Sequence, residues 1–225
     1  MSGKLKLNAA SGGGSISIQA PSSSSNNRVL TLPDVADSTI LTSESSLNSS
    51  KLSSINLGSL QVLEKISSPC DGTTFATAQG NVTVANTTSS QSLASSETFL
   101  NGSGIGYTPP ANTTTVIYRF IFSQAKAGDT NSGGIYRFKI DDVQVGDARF
   151  VSRFNVDTDL ITFQWSIGIG GSAVTATGRQ ASWTSSKYLK LTQARINSDY
   201  DGTLHSSSNG DFRRPIIEIE AIGSI

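Results

Sequence analysis

The chain has 225 residues, in which 17 Lys and Arg balance 17 Asp and Glu, so its formal net charge is zero. A neutral chain offers no basic field along which a nucleic acid could bind, and this argues against the nucleic-acid-binding class. Only 15% of the residues are charged, while Ser, Thr, Asn and Gly abound, a composition typical of β-structure with polar turns.

The sequence also argues against an intrachain disulfide, a zinc or iron site, a membrane-spanning segment and a secretory signal. The single cysteine, Cys70, has no partner for an intrachain disulfide, and with one histidine, His205, it does not make a zinc or iron site of the usual kind. Nowhere do about eighteen apolar residues follow one another, and the residues after Met1 lack the apolar core of a secretory signal. We therefore expect no cofactor, no metal, no membrane insertion and no export through a signal peptide.

The first segment, residues 1–45, alternates short strand-like stretches with soft turns. Residues 4–7, 15–19 and 28–33 each have a two-residue period with one apolar face and are predicted as strands. The Ser-, Gly- and Asn-rich stretches between them are too polar to form a core. So few apolar side chains cannot offset an ordering entropy of roughly 1–2 kcal/mol per residue. We predict a β-arm that orders only against another chain.

Residues 46–59 are predicted as a linker or a short coil. From Leu41 to Ile66, residues recur at alternating four- and three-residue intervals, the spacing of a trimeric coiled coil. Several of these positions hold Ser or Asn, and Gly58 interrupts the pattern, which favours an extended linker equally well. Both alternatives remain open at this point.

Residues 60–225 contain a succession of strand signals separated by turns. Apolar or aromatic residues alternate with polar ones in most of these segments, which are residues 60–66, 73–77, 81–85, 116–122, 135–140, 159–165, 173–177, 186–194 and 215–221. Turns are predicted at residues 69–72, 79–80 and 209–210. Without intervening helices such strands cannot form a parallel sheet, so the pattern predicts an antiparallel, jelly-roll-like β-sandwich.

His205 is the one candidate for a catalytic base. Asp199, Asp201 and Asp211 are near it in sequence, and serines surround it, which allows a Ser-His-Asp hypothesis. A triad needs a rigid scaffold between nucleophile, base and carboxylate. Because the Ser-rich, Gly-bounded segment is typical of a mobile loop, we interpret His205 as a loop residue and predict no catalytic residue.

Acidic pairs and a glycine string allow two further hypotheses, each with a structural alternative. Asp141 and Asp142 with Asp147, or separately Asp199 and Asp201, could offer oxygen ligands to calcium, but their spacing is not that of a calcium loop. Asp141 and Asp142 follow a predicted strand, where a hairpin turn favours Asp. The glycines at 168, 170 and 171 faintly resemble a phosphate loop, yet no helix follows them, so turns are favoured.

Aromatic residues near polar loop segments are the candidates for receptor contact. Aromatic rings stack on the apolar faces of sugar rings, and most of those in this chain are expected in the core or a subunit interface. Trp183, Tyr188 and Tyr200 are close in sequence to Ser-, Lys- and Asp-rich stretches. We predict that these three contact a receptor.

The sequence resembles a known family of structural proteins. Residues 5–43 contain Gly-Gly-Gly-Ser-Ile-Ser-Ile-Gln-Ala-Pro, Asn-Arg-Val-Leu-Thr-Leu-Pro-Asp and Ala-Asp-Ser-Thr-Ile-Leu-Thr, and this stretch of about forty residues resembles segments of tail-fibre proteins of aquatic tailed phages, cyanophages among them. Residues 60–64, 70–72, 107–110 and 118–120 look like a β-domain of virion proteins from those phages. The resemblance implies a homotrimer on the virion surface.

Three functions follow as expectations. The first is a phage tail fibre, made in the host cytoplasm, that joins other virion proteins through its arm and binds a host surface glycan or protein. The second is a capsid decoration or adaptor protein that cements the virion without receptor binding. The third is a glycan-cleaving enzyme, which would need paired carboxylates in a groove. We favour the first and expect no enzymatic activity.

Overall fold

The computed structural model describes residues 4–8, 11–13, 15–19, 61–126, 131–154, 158–207 and 210–224. Within these residues all regular structure is β-strand. None of them belongs to a helix long and apolar enough to cross a membrane. The chain divides into two compact units, Met1–Asn48 and Ser49–Ile225.

The first unit contains an antiparallel hairpin. Strand β1 (Lys4–Asn8) pairs with β2 (Ser15–Gln19), so that Lys4 is opposite Gln19 and Asn8 is opposite Ser15. Both strands were predicted from their two-residue period, and both predictions are confirmed. The third predicted strand, residues 28–33, and the linker, residues 46–59, lie outside the described residues. That the arm orders against another chain remains a prediction.

The described residues of the second unit form fourteen strands of very different lengths. Their bounds are β3 (Gln61–Pro69), β4 (Thr74–Thr77), β5 (Gly80–Thr83), β6 (Gln91–Ser92), β7 (Thr98–Phe99), β8 (Ile105–Tyr107), β9 (Thr113–Ala125), β10 (Asn131–Ile140), β11 (Val143–Phe154), β12 (Thr158–Gly168), β13 (Lys187–Arg195), β14 (Tyr200–Asp201), β15 (Thr203–Leu204) and β16 (Ile216–Gly223).

The long strands form two facing sheets with a nested pairing. In one sheet β16 lies between β3 and β9, and β12 pairs with the other side of β9. In the other sheet β10 lies between β11 and β13, and β7 and β8 pair with β13. Four antiparallel pairs are nested, so that the first strand of the series pairs with the last and the two middle strands pair with each other. These pairs are β3 with β16, β8 with β13, β9 with β12, and β10 with β11. This arrangement is an eight-stranded jelly roll, as the sequence predicted.

The core consists of the facing sides of the two sheets. Residues of β9, β10, β12 and β16 alternate between buried and partly exposed positions, as the two-residue period requires. Aromatic rings pack in an unbroken series across the centre, with neighbouring centroids 4.8–5.7 Å apart, in the order Tyr118, Phe138, Phe163, Phe150, Tyr136, Phe122 and Phe120. Such pairs add roughly 0.5–1.5 kcal/mol each beyond the area they bury.

A polar ladder crosses the outer side of one sheet and matches the strand register. Glu218 of β16 is opposite Arg119 of β9, which is opposite Gln164 of β12. The Arg119 guanidinium donates to Glu218 and, at 2.7 and 2.9 Å, to the Gln164 Oε1 atom. Ser67 of β3 donates to Glu218 at 3.0 Å. Four strands are therefore joined by side chains in one row, and a slip of one residue would break every contact.

The structure differs from the sequence analysis at two places in this unit. The predicted strand at residues 173–177 is wrong: this stretch turns back on itself, with one bridge between Val174 and Arg179. Positive φ at Gly171 (71°) and Gly178 (76°) forces the reversal, although Val, Thr and Ala favour strands. The sequence also missed most of β11. Its pairing with β10 shifts register at Arg137, so the buried residues Val145 and Ala148 are three positions apart and no alternation is visible.

The sandwich has two ends that carry different connections. The β8–β9 loop, the β10–β11 turn and the β12–β13 loop lie at one end, which we call the cleft end. The chain also enters β3 there, since Gln61 is opposite Gly223 and Gly223 is opposite Thr113. The last residues of β9, β11 and β13 lie at the opposite end, which we call the far end.

The one cysteine gives a test of this packing. Cys70 is fully buried, its thiol donates to the Gly102 carbonyl at 3.3 Å, and burial raises the pKa of the thiol to about 12. We predict that Cys70 reacts with a thiol reagent only after the protein unfolds, because the thiolate is the reactive form. Reaction rates across a urea titration should follow the unfolding transition. A Ser166→Cys variant, which adds an exposed thiol on β12, should react at once, and equal rates for both thiols would contradict the prediction.

Candidate functional site

Three connections meet at the cleft end and form its surface. They are the β8–β9 loop (residues 108–112), the two-residue turn after β10, and the long β12–β13 loop (residues 169–186). Two clefts open here, one on each side of the β12–β13 loop. A rigid sandwich that presents loops at its ends is the usual arrangement of a binding site in a β-protein.

The β10–β11 turn is held in place by lysines. Asp141 and Asp142 have φ of 48° and 67°, so both are in the left-handed region that a type I′ hairpin turn requires, and the predicted turn is confirmed. Asp141 accepts from the Tyr188 backbone N–H at 2.7 Å, and its other oxygen lies 3.2 Å from the Lys187 ammonium. Asp142 pairs with Lys190, which lowers the pKa of that carboxyl. These contacts tie the turn to β13.

The first cleft, which we call the charged cleft, lies between this turn, the start of β11 and the β12–β13 loop. Its volume is about 220 Å³. Apolar side chains, among them Ile140, Val143 and Val145, line it together with the charged groups of Asp141, Arg179 and Lys187 and the amides of Gln144 and Gln180. The cleft can therefore offer both an apolar surface and several hydrogen-bonding groups to a small polar ligand.

The second cleft, which we call the neutral cleft, is larger and has no charged residue. It has a volume of about 400 Å³ and is lined by the β8–β9 loop, residues 181–184 and Gln79. Trp183 lies at its base, where the indole N–H donates to the Tyr107 carbonyl at 3.1 Å. The ring meets Tyr107 edge-on, with centroids 6.4 Å apart. Trp183 therefore connects the β12–β13 loop to β8.

The three aromatic residues predicted to contact a receptor are not brought together. Trp183 is 5% exposed and Tyr188 is 44% exposed, and both are at the cleft end. Tyr200 is at the far end, opposite Asn131, with the Arg153 guanidinium over its ring. Ten residues of β10 separate the two ends, roughly 33 Å at about 3.3 Å per residue. One small ligand cannot touch Tyr188 and Tyr200 together, and receptor contact by any of the three stays a prediction.

His205 is not the mobile loop residue that the sequence suggested. It is 0% exposed, and its ring meets Phe120 and Phe122 edge-on at 6.3 and 6.2 Å. A left-handed backbone with φ of 58° turns the side chain into the core, and its backbone N–H donates to the Ser123 carbonyl at 2.7 Å. The Asn101 backbone lies next to the ring and partly opposes the effect of burial on the pKa of His205. Burial lowers the pKa of His205 to about 4, so the ring is neutral at pH 7.

Three of the acidic residues considered for calcium, Asp141, Asp142 and Asp201, have carboxylates with structural partners. Asp201 lies 3.3 Å from the Arg195 guanidinium and accepts from the Gly202 backbone N–H at 2.8 Å. Among the described residues, no group of three or more His, Cys, Asp or Glu side chains is close enough together to hold a metal ion. Gly170 and Gly171 have φ of 104° and 71° and form turns after β12, as predicted.

The sequence did not identify Arg179 and Lys187 as parts of one site. They are eight positions apart, and neither belongs to a motif. Only the return of the β12–β13 loop over β11 places both at the same cleft. A signal was present in the glycines at 168, 170, 171 and 178, which bracket a loop that must turn tightly.

The chain shows little similarity to known proteins. No protein-family model and no curated protein sequence matches the chain. One solved structure that matches is that of infectious bursal disease virus, Gx strain, with a TM-score of 0.29 and 13% identity over 73% of this chain. The chain spans about a third, 36%, of the length of that viral chain. A TM-score this low does not establish a shared fold, so the jelly-roll assignment rests on the strand pairing of this chain.

We predict that Trp183→Phe destabilises the sandwich. The substitution keeps most of the ring but leaves the buried Tyr107 carbonyl without its donor, which costs about 1–3 kcal/mol. Urea unfolding would measure the loss. Trp165→Phe is the matched control, because the Trp165 indole donates to the Thr177 carbonyl at an exposed position, where water can replace it. Equal losses in both variants would contradict the structural role of Trp183.

We predict that acid destabilises the protein through His205. Its pKa is about 4 when folded and 6.5 when unfolded, so the unfolded chain binds more protons between these values. The contribution of neutral His205 to the free energy of unfolding is fully present above pH 6.5. It is lost as the pH falls through 4, a loss on the order of 3 kcal/mol. His205→Asn, which tolerates a left-handed backbone and does not titrate, is the control.

Urea unfolding at about pH 7 and about pH 4.5 measures this difference. Carboxylates with lowered pKa values, such as Glu97 and Glu218, also lose stability in acid. They contribute equally to both proteins, so the wild-type chain should lose more stability than His205→Asn. Identical losses would exclude His205 as a source of the acid sensitivity.

Proposed function

We propose that the chain is a structural protein of a tailed-phage virion, a homotrimeric tail fibre that attaches the particle to the host surface. The proposal is supported by one combination of features: an N-terminal segment that resembles tail-fibre proteins is followed by a jelly roll whose first strand, β3, starts at an edge of the cleft end. Residues 5–43 resemble tail-fibre segments, and they precede Gln61, the first residue of β3. The arm can then dock on the particle while the sandwich is displayed outward.

The fold supports this assignment by analogy. Double-sheet jelly rolls recur in viral capsid proteins and in lectins, so the architecture suits both assembly and surface recognition. Many functions share each common fold, and the analogy supports the class of function only. The proposed partners are other copies of the chain, other virion proteins through the arm, and a glycan or protein of the host surface.

The proposal is for a binding protein without catalytic activity. The one histidine, His205, is enclosed by Phe120 and Phe122 and is kept neutral by burial, which does not suit a base that must reach a substrate. Arg119 and Glu218, the ionic pair at the centre of the polar ladder, are engaged in holding strands together. The charged groups at the cleft end are arranged for binding.

Trimer formation through the arm can be tested with a matched pair of variants. The two-residue period of residues 15–19 assigns Ile16 and Ile18 to one face and Ser17 to the other. We expect a native mass of three chains for the wild type, loss of that species in Ile16→Asp, and no loss in Ser17→Asp. A stable monomer of the wild-type chain would refute the trimer.

The place of the chain on the particle decides between a fibre and a decoration protein. Gold-labelled antibodies against the purified chain should mark the tail of the virion, and added chain should compete with the phage for adsorption to host cells. Labelling spread over the capsid, without competition, would support the adaptor function and overturn attachment. Turnover of host polysaccharide by the purified chain would instead support the enzyme hypothesis.

A further inference from the structure

The charged cleft exists because the β12–β13 loop closes over β11. Gly178 has φ of 76°, and a Cβ at this position would lie 3.0 Å from Val145 and 3.2 Å from Ile140. Only glycine allows the loop to approach these side chains so closely. The backbone N–H of Asp147 donates to the Ala176 carbonyl at 2.9 Å and fixes the loop to β11. The cleft walls are therefore held by backbone contacts.

Arg179 supplies an unbalanced positive charge at this cleft. Its guanidinium atoms lie 3.1–3.3 Å from the position that a Cβ would take on Gly168, so the group packs against bare backbone. Its one hydrogen bond among the described residues is to the Gly170 carbonyl, at 3.4 Å. None of the seven ion pairs among those residues includes Arg179. An incoming anion would meet a positioned fork of N–H donors.

The remaining charges of the cleft cancel each other. Lys187 pairs with Asp141 at 3.2 Å, and Asp141 is also fixed by the Tyr188 N–H, so these groups add polar contacts without adding net charge. Val143 is 56% exposed and presents an apolar surface. An apolar patch next to a planar cation and a fixed carboxylate matches a sugar ring, which has an apolar face and a polar edge.

We propose that the charged cleft binds one acidic sugar residue of a surface polysaccharide, with the anionic group of the sugar on Arg179 and its ring against Val143. A volume of about 220 Å³ suits a single ring better than a drug-sized ligand. The anionic group can be a carboxylate or a sulfate, since both accept two parallel N–H bonds. This inference deepens the proposed attachment function by naming the class of receptor.

The charged cleft lies at the edge of the sandwich opposite to the start of β3. Val62, Ile222, Thr115 and Gly168 form one row across the cleft end of the sheet, from β3 to β12. Arg179 packs on Gly168, at the opposite edge from β3, where the chain enters. Three strand spacings of about 4.8 Å separate these edges, roughly 14 Å in all. The neutral cleft, which includes Gln79 and Asn112, lies nearer to β3.

Binding of defined polysaccharides to the full-length chain tests the proposal. The probes are polygalacturonate, dextran sulfate and uncharged dextran, measured by calorimetry at low and at physiological salt. We expect binding of at least one acidic probe, weakened by salt, and no binding of dextran. Comparison of the two acidic probes identifies whether carboxylate or sulfate is preferred.

Three variants make the test specific to the cleft. Arg179→Gln should weaken binding about tenfold or more, because it removes a charged donor pair. Arg213→Gln is the matched control: it removes the same charge from an exposed arginine at the far end and should leave binding unchanged. Val143→Trp should also weaken binding by filling the cleft, without any change in charge. Unfolding curves would verify that all three variants fold.

The outcomes separate this inference from the proposed function. Equal losses in Arg179→Gln and Arg213→Gln, unchanged binding in both Arg179→Gln and Val143→Trp, or no binding of either acidic probe would overturn the acidic-sugar site. If antibodies mark the tail and the added chain blocks adsorption, the proposed attachment function stands even when the acidic-sugar site is overturned. Specific binding at the cleft by a chain that is not on the virion would uphold the site and refute the fibre.

Discussion

The structure depends on the pairing of β9 with β12 along one side and with β16 along the other. This central strand places Tyr118, Phe120 and Phe122 on the inner face, where Tyr118 meets rings of β10 and β12 and Phe122 meets a ring of β10. Because side chains alternate between faces, a shift of one residue in β9 would move all three rings to the solvent side and Arg119 into the core. The polar ladder on the outer side and the aromatic series on the inner side therefore enforce the same register.

Buried polar side chains reinforce that register at the far end. Gln124 accepts from the Tyr136 hydroxyl at 2.8 Å, and Gln193 accepts from the Ala94 N–H and donates to Thr98 at 2.9 Å. Both glutamines are fully buried, so a misplaced strand would leave them without partners at a cost of about 1–3 kcal/mol for each group. His205 closes this end against Phe120 and Phe122. The cleft end differs, because its loops are fixed by glycines and by backbone hydrogen bonds while several charged side chains remain exposed.

The two edges of the cleft end differ in what they carry. The chain enters β3 at one edge of the cleft end, and the charged cleft is at the opposite edge of the same end. Under the proposed attachment function, the edge with the charged cleft would face a host polysaccharide. Arg179 of the β12–β13 loop and Lys187 of β13 line the same cleft because the loop returns over β11.

The sequence by itself determined the all-β class, the strands β1 and β2, most of the long strands and the Asp141-Asp142 turn, because a two-residue period and left-handed turn residues are local properties. It could not reveal β11, since a bulge there breaks the alternation, nor the reversal at residues 173–177, where glycine geometry outweighs strand propensity. The burial of His205 and the distance between Tyr188 and Tyr200 were decided only by tertiary structure. Both follow from nested pairing of strands far apart in the chain, and no local pattern in the sequence specifies which distant strands become neighbours.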